Sequence, residues 1–198
     1  PAWFVRQGLG ESDLAEPVAV ARGLGATILM GTTGARGAFT RPLVETIAAQ
    51  ARTPIVLPLS NPTDRAEATA SDVLAWTAGR AIVATGSPSD AVSWDGRTRI
   101  VGQANNVFVF PGIGLGAIVA SAAAIPDDAF LVAARTLASV VSDERLAAGA
   151  IYPSIADLRP VSRAIAIAVA TALGRTDDVA AAVEAAMWQP DYLPYVPG

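Results

Sequence analysis

Two adjacent carboxamides, Asn105 and Asn106, stand in the stretch Gly102-Gln103-Ala104-Asn105-Asn106-Val107-Phe108-Val109-Phe110-Pro111-Gly112-Ile113-Gly114-Leu115-Gly116, against an apolar run stepped with glycine. An Asn side chain carries two donor hydrogens and an acceptor oxygen. Such a pair at the mouth of a buried helix can therefore hydrogen-bond a carboxylate, a hydroxyl or a carboxamide. Taken alone, the pair reads more simply as a helix cap, since Asn is among the best residues at that position. A third carboxamide changes the balance. Asn61 follows the run Pro54-Ile55-Val56-Leu57-Pro58-Leu59-Ser60, which reads as a buried strand stopping abruptly in a polar turn. In open α/β sheets ligands bind just beyond the carboxyl ends of the strands, where Asn61 would sit.

The residue types that are missing narrow the chemistry. The 198 residues include no Cys, no His and no Lys, so all fourteen basic residues are Arg. A thiolate nucleophile, an imidazole base, a Schiff-base lysine and a zinc site of the usual nitrogen or sulfur kind are thereby excluded. The net charge of -4 gives no electrostatic case for nucleic acid or an anionic membrane, and neither is expected as a partner. With 52% hydrophobic and 16% charged residues the chain must fold around a core. The uncharged run 107–125 is about long enough to span a bilayer. Its proline, glycines and alanines, with no basic flank or aromatic belt, suit a helix buried among helices better. The chain opens on Pro1 rather than Met, as an excised or processed piece of a longer chain would.

Positioning these side chains falls to alternating helices and strands. Residues 1–12 read as loop, 13–23 as a helix and 26–30 as a compact apolar strand. A glycine-rich turn, Gly31-Thr32-Thr33-Gly34-Ala35-Arg36-Gly37, leads to a helix that Thr40 and Pro42 start and that runs to about 51. This turn could cradle phosphate on successive backbone amides, or be a plain strand-to-helix connection. Strands are expected at 55–59 and 81–85. Between them Thr69-Ala70-Ser71-Asp72 resembles a capping box opening a helix through Trp76. Trp94-Asp95-Gly96-Arg97 reads as a hairpin turn. The rhythm indicates a parallel sheet covered on both faces. Beyond Pro111 only helices are expected, at 113–123, 127–141 and 155–173, and a last one capped by Thr176 and ending near Trp188. Residues 190–198 read as a proline-rich tail. The 127–141 helix should bury Phe130, Ala134, Leu137 and Val141.

Gly112-x-Gly114-x-x-Ala117 matches a relaxed dinucleotide fingerprint, but the sequence after it is helical and Asp127 and Asp128 fall at a helix start. Those glycines are read instead as allowing close helix packing. Asp64, Glu67, Asp72, Asp90 and Asp95 are scattered over turns and helix starts and are expected to be mostly solvated. No metal is assigned to them. Arg65 and Arg80 could pair with phosphate or carboxylate, but surface ion pairs are the commoner fate of such arginines.

Taken in order, Gly31-Thr32-Thr33-Gly34, Gly37-Ala38-Phe39-Thr40, Leu59-Ser60-Asn61-Pro62-Thr63, Gly79-Arg80-Ala81, Gly86-Ser87-Pro88, Gly102-Gln103-Ala104-Asn105-Asn106, Phe110-Pro111-Gly112, Tyr152-Pro153 and Trp188-Gln189-Pro190 resemble the C-terminal, nucleotide-binding part of malic enzymes. The motifs cover nearly the whole chain and are far more specific together than singly. The resemblance implies an α/β fold, a partial Rossmann-like parallel sheet of about three strands followed by an all-helical C-terminal segment. Residues 1–112 would be the later part of the NAD(P)-binding domain, and 113–198 a helical segment packing on it as one structural unit.

Malic enzymes oxidise L-malate at its hydroxyl-bearing carbon, pass the hydride to NAD or NADP, and release CO2 to leave pyruvate, with divalent Mg or Mn holding the oxygens. A base must take the hydroxyl proton as hydride leaves, and the metal stabilises the enolate formed on decarboxylation. The resemblance places Asn61 and Asn105 as donors to the malate carboxylate. It places Gly31, Thr32, Thr33, Asn61 and Asn106 at the cofactor. It places no catalytic residue in this chain, because the family's lysine, tyrosine and metal carboxylates precede the matched part, as does the first half of the nucleotide-binding unit. The chain is therefore expected to be inactive alone and to need the missing N-terminal portion. The full enzyme is expected to be a cytoplasmic homo-oligomer. Ala104 stands where the family usually has glycine, and Ser89 where it usually has phenylalanine. The alternative is a non-catalytic NAD-binding or oligomerisation fragment that needs a complementary chain.

Overall fold

Short apolar runs separated by amphipathic helices give a parallel sheet, and its strands all end on one rim. The computed structural model describes residues 16–189 and 191, so the expected N-terminal loop, the start of the first helix and most of the C-terminal tail lie outside the described residues. The chain divides into two compact units, 1–105 with 141–154 and 106–140 with 155–198.

In the first unit the order is α1 (Pro17–Leu24), β1 (Ile28–Gly31), α2 (Arg41–Gln50), β2 (Ile55–Pro58), α3 (Ala70–Trp76) and β3 (Ile82–Thr85). There follow a hairpin of β4 (Val92–Trp94) and β5 (Arg97–Arg99), and the two-residue β6 (Gly102–Gln103). The main sheet has the order β1-β2-β3-β6, all parallel. It has one strand more than the three expected, because β6 is too short to show as an apolar run. On one face the register row Leu29, Val56 and Val83 packs into a core with Leu43, Val44 and Ile47 of α2 and Val73 and Leu74 of α3. The expected cover on both faces fails at β1. Ile28 and Met30, which alternate onto the other face, are 53% and 61% exposed.

Two local signals hold in detail. Thr69 caps α3, its hydroxyl oxygen accepting from the Asp72 amide at 3.0 Å while its hydrogen goes to the Asp72 carboxylate at 2.7 Å. Asp95 and Gly96 both take left-handed conformations, φ 49° and 70°, as a two-residue hairpin turn pairing Trp94 with Arg97 requires. Arg80 differs from expectation. It donates to the carbonyls of Ala48, Ala51 and Arg52 at 2.9–3.1 Å, closing the C-terminal end of α2 rather than joining a surface ion pair. A short helix that the sequence did not announce, α6 (Asp143–Ala147), follows its Ser142 cap and belongs to this unit.

The second unit is helical among its described residues: α4 (Phe110–Val119), α5 (Asp127–Ser139), α7 (Leu158–Ala172) and α8 (Val179–Ala186), with single-turn 3-10 segments at Asn106–Phe108 and Ile155–Asp157. α4 starts earlier than expected because Pro111 is tolerated in a first turn. It meets α7 backbone to side chain. A Cβ on Gly112 would lie 2.7 Å from Ile165 Cβ, and one on Gly116 would lie 2.8 Å from the Ala166 carbonyl. Spaced four apart, these glycines share one face, whereas Gly114 faces open space. The packing reading of the stretch thus holds at Gly112 and fails at Gly114.

α5 is rotated from its expected face. Ala129, Ala133 and Leu137 are buried, while Phe130 is 44% exposed and Ala134 is exposed. The last helix is capped by Asp178 rather than Thr176, its carboxylate accepting from the Ala181 amide at 3.1 Å. No helix of the described residues is long and apolar enough to cross a membrane.

Candidate functional site

Because β1, β2, β3 and β6 run the same way, the turns that leave them share one edge of the sheet. The ladder continues past the strands, with the Leu59 amide on the Gly31 carbonyl at 2.9 Å, Gly86 on Pro58 at 3.1 Å and Ala104 on Thr85 at 2.8 Å. The backbone leading to Asn61, Ser87 and Asn105 is therefore pinned to its neighbouring strand in each case. At Gly86 the approach is closest, since a Cβ there would collide with the Leu59 carbonyl. Only glycine fits.

The first two turns are joined by Glu67, which is fully buried. Its Oε1 accepts from the Thr33 amide at 2.7 Å, the Thr33 hydroxyl at 2.9 Å and the Ser60 hydroxyl at 2.5 Å, and its Oε2 from the Ser60 amide at 3.2 Å. Burial by itself would push this carboxyl up. The donors from Ser60 and Thr33, with its own backbone amide, outweigh that and hold it at about 2, below the ordinary 4.5. Expected to be solvated, Glu67 is instead the centre of the polar network.

The glycine turn takes its chemistry from that carboxylate. Gly34 donates to the Ser60 hydroxyl at 2.8 Å and Ala35 to the Thr33 hydroxyl at 3.1 Å, so with Thr33 on Glu67 three successive amides are engaged internally. The first of them meets the chain's own carboxylate and the other two meet hydroxyl oxygens. A phosphate would find them occupied and a negative charge beneath them. Thr32 remains exposed, and Gly31 is buried at the end of β1, where a Cβ would lie 2.7 Å from Glu67 Cδ.

Asn61 is exposed and oriented by one short bond: the Ser87 hydroxyl donates to Asn61 Oδ1 at 2.5 Å. That bond fixes how the exposed amide is turned. Ser87 is held in turn, its carbonyl accepting from Thr85 Oγ1 at 2.8 Å, and Gln103 Nε2 donates to the Gly86 carbonyl at 3.1 Å. Asn105 is half-buried just beyond β6. Asn61 and Asn105 thus leave strands on either side of β3, roughly 10 Å apart if two interstrand spacings separate them. Asn106 is exposed, belongs to the helical unit and opens its Asn106–Phe108 turn.

A cleft of about 950 Å3 lies beside the network, lined by Phe39, Thr63, Trp76, Thr85 and Ser87 among others, with Glu67 in its wall. Asn61, Asn105 and residues 31–33 do not line it. Metal is a different matter. No group of three or more His, Cys, Asp or Glu that could hold an ion occurs among the described residues.

Sequence reasoning missed Glu67, Ser60 and Ser87 as parts of this site. The one available signal for Glu67 was a lone acid between Ala66 and Ala68, soon after a strand-ending turn.

Residues 6–173 match the family model described as malic enzyme, NAD binding domain. The chain is 42% identical over 186 residues to NADP-dependent malic enzyme 3 of Arabidopsis thaliana, covering 89% of this chain and 32% of that protein. It is 41% identical over 192 residues to NAD-dependent malic enzyme 3 of Bacillus subtilis (strain 168), covering 93% and 33%. The NAD-dependent malic enzyme of Sodalis glossinidius (strain morsitans) is 40% identical over 193 residues, covering 93% and 34%. The chain spans about a third of the length of these curated relatives. With the family model covering most of its length, the chain belongs to the malic enzymes, through their NAD-binding domain.

Proposed function

We propose that these residues form the dinucleotide- and malate-binding part of an enzyme that oxidatively decarboxylates L-malate to pyruvate and CO2 while reducing NAD or NADP. The observation that carries the reading is the Ser87–Asn61 bond, which fixes an exposed carboxamide just beyond the carboxyl end of a sheet strand. Asn61 and Asn105 bind and orient the malate carboxylate. Gly31, Thr32 and Thr33 meet the dinucleotide, and Asn61 lies near its nicotinamide and ribose. Orientation matters because hydride transfer needs the donor carbon and the ring within near-contact distance, and fixed hydrogen bonds supply that placement before the reaction begins. The proton-transfer groups and the metal's carboxylates come from outside these 198 residues, which contain no lysine. No step through the metal is assigned to residues described here.

Calorimetry on the complete enzyme, with NAD or NADP added first and malate second, tests the reading. Asn105→Ala is expected to lower kcat/KM for malate by roughly tenfold or more while changing dinucleotide affinity much less, since one charge-assisted hydrogen bond is lost. Equal losses in both would remove Asn105 from the malate site.

A further inference from the structure

We infer that Glu67 is a positioning residue that locks the turn at 31–34 to the turn at 59–61, setting the spacing at which dinucleotide and malate are held; this rests on the function proposed above. Four hydrogen bonds reach its carboxylate from two residues, Thr33 and Ser60, one on each turn. Thr33 lies in the segment assigned to the cofactor, and Ser60 precedes Asn61. Residues 34 and 7 positions from Glu67 in the sequence are thus tied to one pair of oxygens, with Gly34 added through the Ser60 hydroxyl.

Geometry leaves the side chain little freedom. The Glu67 stem packs against Gly31 and the carboxylate accepts on both oxygens, three bonds on Oε1 and one on Oε2, so any shift of one turn strains bonds to the other. Holding two ligand-bearing turns in one register before either ligand arrives is the preorganisation that lowers the cost of binding. The carboxylate does not need to touch either ligand to do this. Its ionisation is robust as well, because donors hold it charged throughout the ordinary pH range.

Glu67→Gln keeps the shape and replaces one acceptor oxygen with a donor NH2 facing donors. In the complete polypeptide carrying these residues, amide hydrogen exchange at Thr33 and Ser60 and the Kd for NAD and NADP are measured, with the KM for malate. The expected result is faster exchange at both amides, a dinucleotide Kd raised about tenfold and a malate KM raised with it. Val73→Ala, a buried truncation in α3 away from the turns, is the comparison. It lowers thermal stability while leaving Kd and KM unchanged. A Glu67→Gln protein that loses stability or active fraction but keeps wild-type Kd and KM overturns the inference. Should that variant not fold, Ser60→Ala carries the test. It removes one hydroxyl and leaves Glu67 the Thr33 amide, the Thr33 hydroxyl and the Ser60 amide, and an unchanged Kd there is equally fatal. Failure of the wild type to bind either dinucleotide overturns the proposed function itself, and this inference with it.

Discussion

The two units achieve rigidity by opposite means. The sheet-bearing unit fixes its turns by burying a charge and surrounding it with donors, whereas the helical unit fixes α4 on α7 by removing side chains at Gly112 and Gly116. Packed helices have their backbone groups already satisfied, so contact area and shape decide their stability. Turns at a sheet rim have spare amides and hydroxyls, which a single carboxylate can gather. The difference teaches where ligand chemistry can be placed: the turns retain polar groups that point outward, and the α4–α7 contact retains none.

The comparison is broken most severely in the helical unit. Gly112→Val would drive methyl groups into Ile165 and the Ser162 carbonyl, where even a bare Cβ stands 2.7–2.8 Å from them. A loss of about 3 kcal/mol or more is expected in denaturant unfolding, with the helices parted rather than adjusted.

Acid gives the next effect, confined to the sheet-bearing unit. Glu67's folded value of about 2 lies below its ordinary 4.5, so its contribution is complete above about pH 4.5 and is lost as the pH falls toward about 2. The contribution is of order 3 kcal/mol. Measured across that window, the wild-type protein should lose its advantage over Glu67→Gln; a constant difference would mean that ionisation is not what holds the turns.

The smallest effect sharpens the contrast by touching neither device. Thr69→Ala removes the cap of α3 and should cost about 1 kcal/mol, with no change in ligand affinity. A change in dinucleotide Kd would tie α3 to the site more closely than its position suggests.

What could be read from the sequence was whatever is written locally. The Thr69–Asp72 cap and the Asp95-Gly96 turn involve residues three apart or adjacent, and both formed as expected. The apolar runs at β2 and β3 announced themselves in the same way. Glu67 could not be read so. Its partners are 34 and 7 residues away, and nothing in Ala66-Glu67-Ala68 distinguishes it from a solvated loop acid. The face of α5 was misread because periodicity was judged by side-chain size, pointing to Phe130, while close packing selected Ala129 and Ala133. Thr176 gave way to Asp178 as a cap, a choice between two good capping residues that only the backbone path decides. At the rim, Asn61 and the glycine turn were legible as strand-end residues, but Ser87's grip on the carboxamide depends on a contact 26 positions away.

That grip has a consequence for selectivity. An asparagine free to rotate its amide offers either hydrogens or lone pairs on a given side and greets most polar groups alike; tied through its oxygen to Ser87, Asn61 keeps one orientation. At the malate site proposed above, a fixed amide matches a ligand whose polar atoms fall in one arrangement and disfavours one that needs the amide flipped.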